Sequence, residues 1–425
     1  MFENVLKEQN PHWNHPTKDE WVKRHQFPKL IQLLATPHVI SVAGVRRAGK
    51  STLLKQLIHY LITDKHTPKE NILFLNLEHP YFASYSAEIK SLHKIYEDYL
   101  RLMNPSGQIF ILLDEVQFFQ QWPIFVKALY EQKKCKFIVT GSNSTLLSSD
   151  LMSLLSGRTL PIEMFPLSFS ELMSYHGLTR QSPTHQMQRL FDRYLMFGGF
   201  PDAALADDKS IAKDILNSMG KSILYQDVTA RLNIKKPVDL ERLFFYLISH
   251  ISTPFTYKKL AELFSLNDKT IKEYIEAIQE SNLLYQTEKF SYSLKAQMRH
   301  PKKPYAVDPG LVNSIAFQFS QNRGRLLENV VFLELKRRGY EVYYYKTKND
   351  YEIDFLINKQ NAFELIQVCS SLDEPSTRAR EIRALEMASN EIPVIKKWII
   401  TEDQNDIINN IHIISVYDFL ILDGV

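Results

Sequence analysis

Cysteine is almost absent from this chain: two residues in 425, Cys135 and Cys369, far apart and without partners at zinc-ligand spacing. That excludes a disulfide framework and argues against a structural zinc site, and it fits a reducing compartment. No uninterrupted apolar run approaches the roughly 20 residues that a membrane-spanning helix needs. Residues 1–7 lack the long apolar core and small-residue cleavage site of a secretory leader. A soluble, unprocessed, cytoplasmic protein without membrane contact is the expectation. A large excess of one charge sign is missing as well: 51 lysines and arginines stand against 48 aspartates and glutamates. A formal net charge of +3 is too small to argue for nucleic-acid binding, so any such contact must rest on local basic patches. With 44% apolar and 23% charged residues the composition is that of an ordinary globular protein. Its length exceeds one hydrophobic core and predicts two or three domains.

Against that plain background, Gly44-Val45-Arg46-Arg47-Ala48-Gly49-Lys50-Ser51 stands out as a G-x-x-x-x-G-K-[ST] phosphate-binding loop. It follows the apolar stretch 39–43 and precedes a helical one beginning at Thr52, the strand–loop–helix setting the motif requires. Gly44, Arg46, Arg47, Ala48, Gly49, Lys50, Ser51 and Thr52 would cradle the nucleotide phosphates, largely through backbone N–H groups; Lys50 would reach the β- and γ-phosphates and the Ser51 hydroxyl would ligate Mg²⁺. A second motif agrees with the first. Residues 109–115 form an apolar strand ending in Asp114 and Glu115, the first suited to holding Mg²⁺ and the second to polarising an attacking water. ATP and Mg²⁺ are the cofactors this pair implies.

Short apolar strands at 39–43, 72–77, 109–113, 137–140 and 160–164 alternate with amphipathic helices. This is the pattern of an α/β parallel sheet with helices on both faces and ligands at the carboxyl ends of its strands. At the end of the fourth strand, Ser142 and Asn143 are candidates to hydrogen-bond the γ-phosphate or its water, although their composition equally suits a turn. Arg158 follows by a short helix. A lone arginine beside a glycine is usually a surface residue, yet this is where an oligomeric ATPase would present an arginine to its neighbour's nucleotide.

Those motifs, with Trp122, Thr140-Gly141-Ser142, Ser156-Gly157-Arg158, Phe165-Pro166-Leu167-Ser168-Phe169, Gly198-Gly199-Phe200-Pro201 and Tyr305-Ala306-Val307-Asp308-Pro309-Gly310-Leu311, resemble in order the motif series of certain prokaryotic AAA+ ATPases. The resemblance implies an AAA+ or related signal-transducing P-loop ATPase core over residues 1–165, a helical lid or linker over 166–240, a winged-helix domain over 241–320, and a PD-(D/E)xK nuclease-like domain of α/β type over 321–425. It also implies a homo-oligomer.

The residues themselves carry the winged-helix reading. Leu260, Leu263 and Phe264 give one short apolar face, 265–268 a turn with Asp268 as N-cap, and Ile271, Tyr274, Ile275 and Ile278 a second face at helical spacing, before a strand at 283–287. Glu273, Glu276 and Glu280 on the second helix would repel phosphate. Nucleic-acid contact is therefore expected from the following basic hairpin, through Lys289, Lys295, Arg299, Lys302 and Lys303, although such a hairpin can equally be solvated or meet an acidic partner.

In the last third, a helix carrying Glu328 and Glu334 precedes strands at 342–346, 353–357, 364–368, 398–401 and 411–415. A helix acid and Asp354 on a strand resemble the nuclease core. Where that core carries a Glu-x-Lys, this chain reads Gln367-Val368-Cys369, losing a ligand charge and the lysine. Glu364, three residues from Gln367, would point to the opposite face of its strand. The leading reading is an oligomeric ATP-hydrolysing protein whose C-terminal part binds nucleic acid or a partner without cutting. An ATP-dependent signalling switch acting through protein contacts is the alternative, and an ATP-dependent nuclease using Glu328, Asp354, Glu364 and Gln367 the third.

Overall fold

The computed structural model describes residues 1–18, 20–86, 90–141, 155, 157–229, 237–315, 323–359 and 362–422. Two compact units meet in sequence at 165/166, Met1–Phe165 and Pro166–Val425.

In the first unit, strands β1 (Val39–Gly44), β2 (Ile72–Asn76), β3 (Ile109–Asp114), β4 (Cys135–Gly141) and β5 (Thr159–Met164) form a parallel sheet in the order β2-β3-β4-β1-β5. Every residue of β1 and β4 is buried, as strands covered on both faces must be. Alternate side chains enter opposite layers. Val39, Ala43, Ile111, Leu113, Phe137 and Val139 join one core with residues of the helices Ser91–Met103 and Trp122–Tyr130. Ile40, Val42, Leu112 and Ile138 are buried on the other face, where the helix Lys50–Thr63 contacts β1 and β3.

β2 is an edge, and an open row of backbone amides invites pairing with a second chain. Side chains of the N-terminal segment close it instead. The Asn10 amide donates to the Phe74 carbonyl at 3.0 Å and accepts from the Phe74 N–H at 2.7 Å. Gln9 accepts from Asn76 N–H at 2.8 Å, and the Trp13 indole donates to the Ile72 carbonyl at 2.9 Å.

The second unit begins with the helices Phe169–Tyr175, Thr184–Phe197, Lys209–Ile223 and Pro237–Ser249. The helix pair Tyr257–Phe264 and Asp268–Glu280 follows, with Ile271, Tyr274, Ile275 and Ile278 buried. Two details correct the expectation. Asn267, not Asp268, is the N-cap, its side chain accepting the Thr270 N–H at 2.7 Å. Leu263 is exposed, because the buried stripe of its short helix runs through Leu260 and Ala261.

The remaining strands are β6 (Leu284–Lys289), β7 (Lys302–Ala306), β8 (Val342–Lys346), β9 (Glu352–Lys359), β10 (Ala362–Val368), β11 (Val394–Thr401), β12 (Asp406–Ile408) and β13 (Ile411–Ser415). They form one mixed sheet in the order β12-β13-β11-β10-β9-β8-β6-β7. The hairpin expected to be a free wing is therefore the edge of this sheet. β6 runs parallel to β8 with Glu288 opposite Tyr343, and the Phe290 N–H bonds the Tyr344 carbonyl at 2.8 Å. Segments expected to belong to separate domains on either side of residue 320 share its backbone ladder.

Two of the sequence signatures also meet here. The buried Asp308 carboxylate accepts the Gly199 N–H at 2.6 Å and the Leu311 N–H at 3.0 Å. A Cβ on Gly198 would lie 1.8 Å from Asp308 Oδ1, and one on Gly310 2.2 Å from the Phe197 carbonyl carbon. Only glycine fits either position.

Candidate functional site

β1 and β3 flank β4 and run parallel to it, so the phosphate loop and the paired carboxylates share the carboxyl edge of the sheet. The chain can turn there for two local reasons. Gly44 lies under the backbone of β5, where a Cβ would meet the Met164 carbonyl oxygen at 2.1 Å. Gly49, at the N-cap of the helix Lys50–Thr63, has φ +95°, a left-handed conformation that glycine adopts without cost.

Lys50 is buried, donates to the carbonyls of Gly44 at 3.1 Å and Val45 at 3.2 Å, and stands 3.8 Å from Glu115 Oε1. Asp114 is buried and takes hydrogen bonds from the hydroxyls of Ser51 and Thr140. Burial raises its pKa; those two hydrogen bonds oppose the shift, Glu115 adds to it and Lys50 opposes it. Thr140 holds both motif acids: while donating to Asp114 it accepts the Glu115 N–H at 3.0 Å. Glu115 itself has φ +55°, and its other carboxylate oxygen accepts from the Gln117 amide.

The remaining loop residues divide. Arg46 pairs with Glu78 in the turn two residues beyond β2, and Arg47 is exposed with φ +66°. Ala48 is buried, and Thr52 is half-buried one residue beyond Ser51. Ser142 and Asn143 lie outside the described residues, as does Ser156. Arg158 is not near the phosphate loop of its own chain. Its carbonyl accepts the Val39 N–H at 2.8 Å, which puts it at the opposite end of the six-residue β1 strand from Gly44, ~17 Å at the usual strand rise. Its half-exposed side chain lies 3.5 Å from Glu131 and over the Tyr130 ring.

Arg24 escaped the sequence reading. It is buried, donating to the Ala48 carbonyl at 2.7 Å and the Phe165 carbonyl at 2.6 Å, and so braces the phosphate loop from behind. Nothing in its local sequence marks it, since it lies outside any periodic segment.

The expected basic surface is reduced. Lys295 and Arg299 are exposed and Lys289 is half-exposed, but Lys302 and Lys303 are 4% and 1% exposed. Both belong to β7, where Lys302 pairs with Glu288 and Lys303 is enclosed by carboxylates. On the helix Asp268–Glu280, Lys269 and Lys272 are paired with Glu273 and Glu276.

Around Gln367 the side chains expected to converge do so without forming an open site. The Gln367 side-chain Oε1 accepts the Asp354 N–H at 2.8 Å, and its side-chain Nε2 donates to Glu381 at 2.7 Å and to the Glu352 backbone carbonyl at 3.1 Å. Glu334, on the same helix as Glu328, pairs with Arg338. Glu364 leaves on the other face of β10, taken by the Trp398 indole at 2.9 Å and Lys359 at 3.0 Å. Burial pushes the Cys369 thiol up to about 12, so it carries no charge.

An AAA-domain family profile matches residues 36–173, and two domains of unknown function, DUF8612 and DUF4143, match residues 188–322 and 323–419. Among curated proteins, the chain is similar to the uncharacterized protein MJ1544 of Methanocaldococcus jannaschii, with 35% identity over 85% of this chain and 81% of that protein. It is also similar to an uncharacterized protein of Haemophilus influenzae, at 29% identity over 94% of this chain and 98% of the other. Among solved structures it aligns with the Aeropyrum pernix ORC1 protein in complex with DNA, at 12% identity and a TM-score of 0.31, covering 69% of this chain and 92% of that one. The strand–loop–helix with Lys50 and Ser51, the buried Asp114 and the AAA-domain match agree, and the chain belongs to the same family as MJ1544, with an AAA ATPase domain of P-loop type in its first unit.

Proposed function

We propose that the chain binds ATP with Mg²⁺ at the carboxyl edge of the β1–β3 sheet and hydrolyses it. The observation that carries this is the Lys50–Glu115 and Ser51–Asp114–Thr140 arrangement, in which each group has the partner its role requires. The Ser51 hydroxyl and the Asp114 carboxylate are adjacent hard oxygen donors of the kind Mg²⁺ prefers, and they would hold it. Bound there, the cation supplies Lewis acidity to the phosphoryl oxygens. Lys50 exchanges the Gly44 and Val45 carbonyls for the β- and γ-phosphates. Glu115, steadied by Gln117 and by its backbone bond to Thr140, orients the attacking water and receives its proton. Steady-state phosphate release by wild type and Glu115→Gln tests the assignment; equal rates would overturn it.

Arg158 supports assembly into a homo-oligomer. From the far end of β1 it cannot reach its own loop, and its exposed pairing with Glu131 is weak enough to give up. In a neighbouring copy it would neutralise charge on the transferred phosphoryl group.

The C-terminal sheet is read as nuclease-like without cutting. Gln367 is held at both ends and the neutral Cys369 cannot replace a lysine. Nucleic-acid or acidic-partner contact then falls to Lys289, Lys295 and Arg299. An ATPase rate strongly stimulated by DNA supports a nucleic-acid-coupled machine, and a slow, DNA-indifferent rate supports the signalling switch.

A further inference from the structure

The lysine absent from position 369 is present in space. Lys303 enters from β7 with its ammonium 2.8 Å from Glu352, 3.3 Å from Glu328 and 3.7 Å from Asp354. These carboxylates come from the helix Arg323–Arg337 and from β9, so one side chain ties the edge of the sheet to its centre. Lys303 is 1% exposed and also lies over the Tyr344 ring. An ammonium has three N–H donors, and three carboxylates surround it.

The carboxylates are engaged elsewhere too. Tyr305 donates to Glu328 at 2.7 Å, and the second oxygen of Asp354 accepts the Val368 N–H at 2.9 Å. Burial opposes the ammonium's charge, yet Glu328, Asp354 and Glu352 together hold its pKa well above the usual lysine value.

A nuclease-like site implies a divalent cation between Glu328 and Asp354, and the residues present do not fit one. Mg²⁺ needs oxygens at about 2.0–2.1 Å in a nearly octahedral shell. Here the oxygens are spread around a nitrogen at 2.8–3.7 Å. Among the described residues, no three His, Cys, Asp or Glu side chains are gathered as a metal-binding group.

We propose that Lys303 is a built-in cation: its ammonium stands where Glu328, Glu352 and Asp354 converge, closes this centre to divalent metal, and fastens the β6–β7 hairpin to the sheet as one body. The proposal goes beyond the ATPase reading and does not depend on it, because no residue of the phosphate loop takes part. It replaces a merely degraded site with one whose positive charge has been rebuilt from another strand. Removing that charge should leave carboxylates that accept a metal.

The test is Mn²⁺ binding to the full-length chain, read by electron paramagnetic resonance of free Mn²⁺. Wild type and Asp354→Asn should bind the same number of ions, since Asp354 holds none. Loss of a site in Asp354→Asn would overturn the proposal, and this comparison needs no variant of Lys303. Lys303→Met should gain one site per chain, absent again from the Lys303→Met/Asp354→Asn double variant. Its melting temperature should fall by several degrees and recover with Mn²⁺ in a saturable way. Lys303→Arg, which keeps the charge, should gain no site. A folded Lys303→Met chain with no added Mn²⁺ site would sink the idea.

Discussion

Thr140 stands between the two motif acids, its hydroxyl donating to the Asp114 carboxylate and accepting the Glu115 N–H at 3.0 Å. A buried hydroxyl with both functions used cannot be replaced by a methyl without leaving groups unsatisfied. Thr140→Val, equal in shape, is therefore expected to destabilise the first unit by about 1–3 kcal/mol and to lower ATP turnover. Thermal melting and phosphate release read the two effects; a variant unchanged in both would remove Thr140 from the site.

Lys50 and Glu115 are expected to separate binding from chemistry. Lys50→Ala deletes the cation facing the β- and γ-phosphates and should lose most ATP affinity, measured with a fluorescent ATP analogue. Glu115→Gln should keep that affinity and slow turnover by roughly 10²–10⁴-fold, the range for loss of a general base. Near-normal turnover would shift suspicion to Asp114.

For Arg158 the expectation needs two subunits. Arg158→Ala should bind ATP and assemble as wild type does, yet hydrolyse poorly. Mixing it with Glu115→Gln subunits should restore activity at interfaces that carry both intact groups. Failure of mixed assemblies to recover any activity counts against a role in trans.

Asp308 links stability to pH. Burial raises its pKa from 3.8 to about 6, against the opposing pull of the Gly199 and Leu311 amides. Between those values the folded chain holds a proton that the unfolded chain has released, so this group's contribution to stability falls as pH rises from about 4 to about 6, then levels off. The span is about 3 kcal/mol at most. Urea unfolding of Asp308→Asn across that window should lack the slope; an identical slope in both proteins would assign it elsewhere.

Nucleic-acid binding, if it follows the exposed basic residues, should weaken when Lys295 and Arg299 are neutralised, with a shallower dependence of affinity on salt. Lys302→Gln should instead lower the melting temperature, since Lys302 is spent on Glu288. Fluorescence anisotropy of labelled DNA across a salt series distinguishes these outcomes. Weakening confined to Lys302→Gln would reverse the assignment.

What the sequence determined by itself is local chemistry. The Gly44–Ser51 loop needs a strand before it and a helix after it, and both are written in the adjoining residues; Asp114 and Glu115 end a short apolar run whose length and alternation with helical segments mark it as a strand. Side-chain spacing also determined that Glu364 and Gln367 face opposite sides of β10. Tertiary structure decided whatever depends on partners distant in the chain. A lysine-rich stretch reads the same whether solvated or enclosed, so only the pairing of β6 with β8 and the approach of Glu328, Glu352 and Asp354 turned Lys303 from a surface charge into an interior one. Arg24 behind the phosphate loop and Asn10 along the edge of β2 belong to the same class. Their roles come from backbone groups left open by strands and turns that form elsewhere, and a buried N–H or carbonyl takes whichever side chain the fold brings to it.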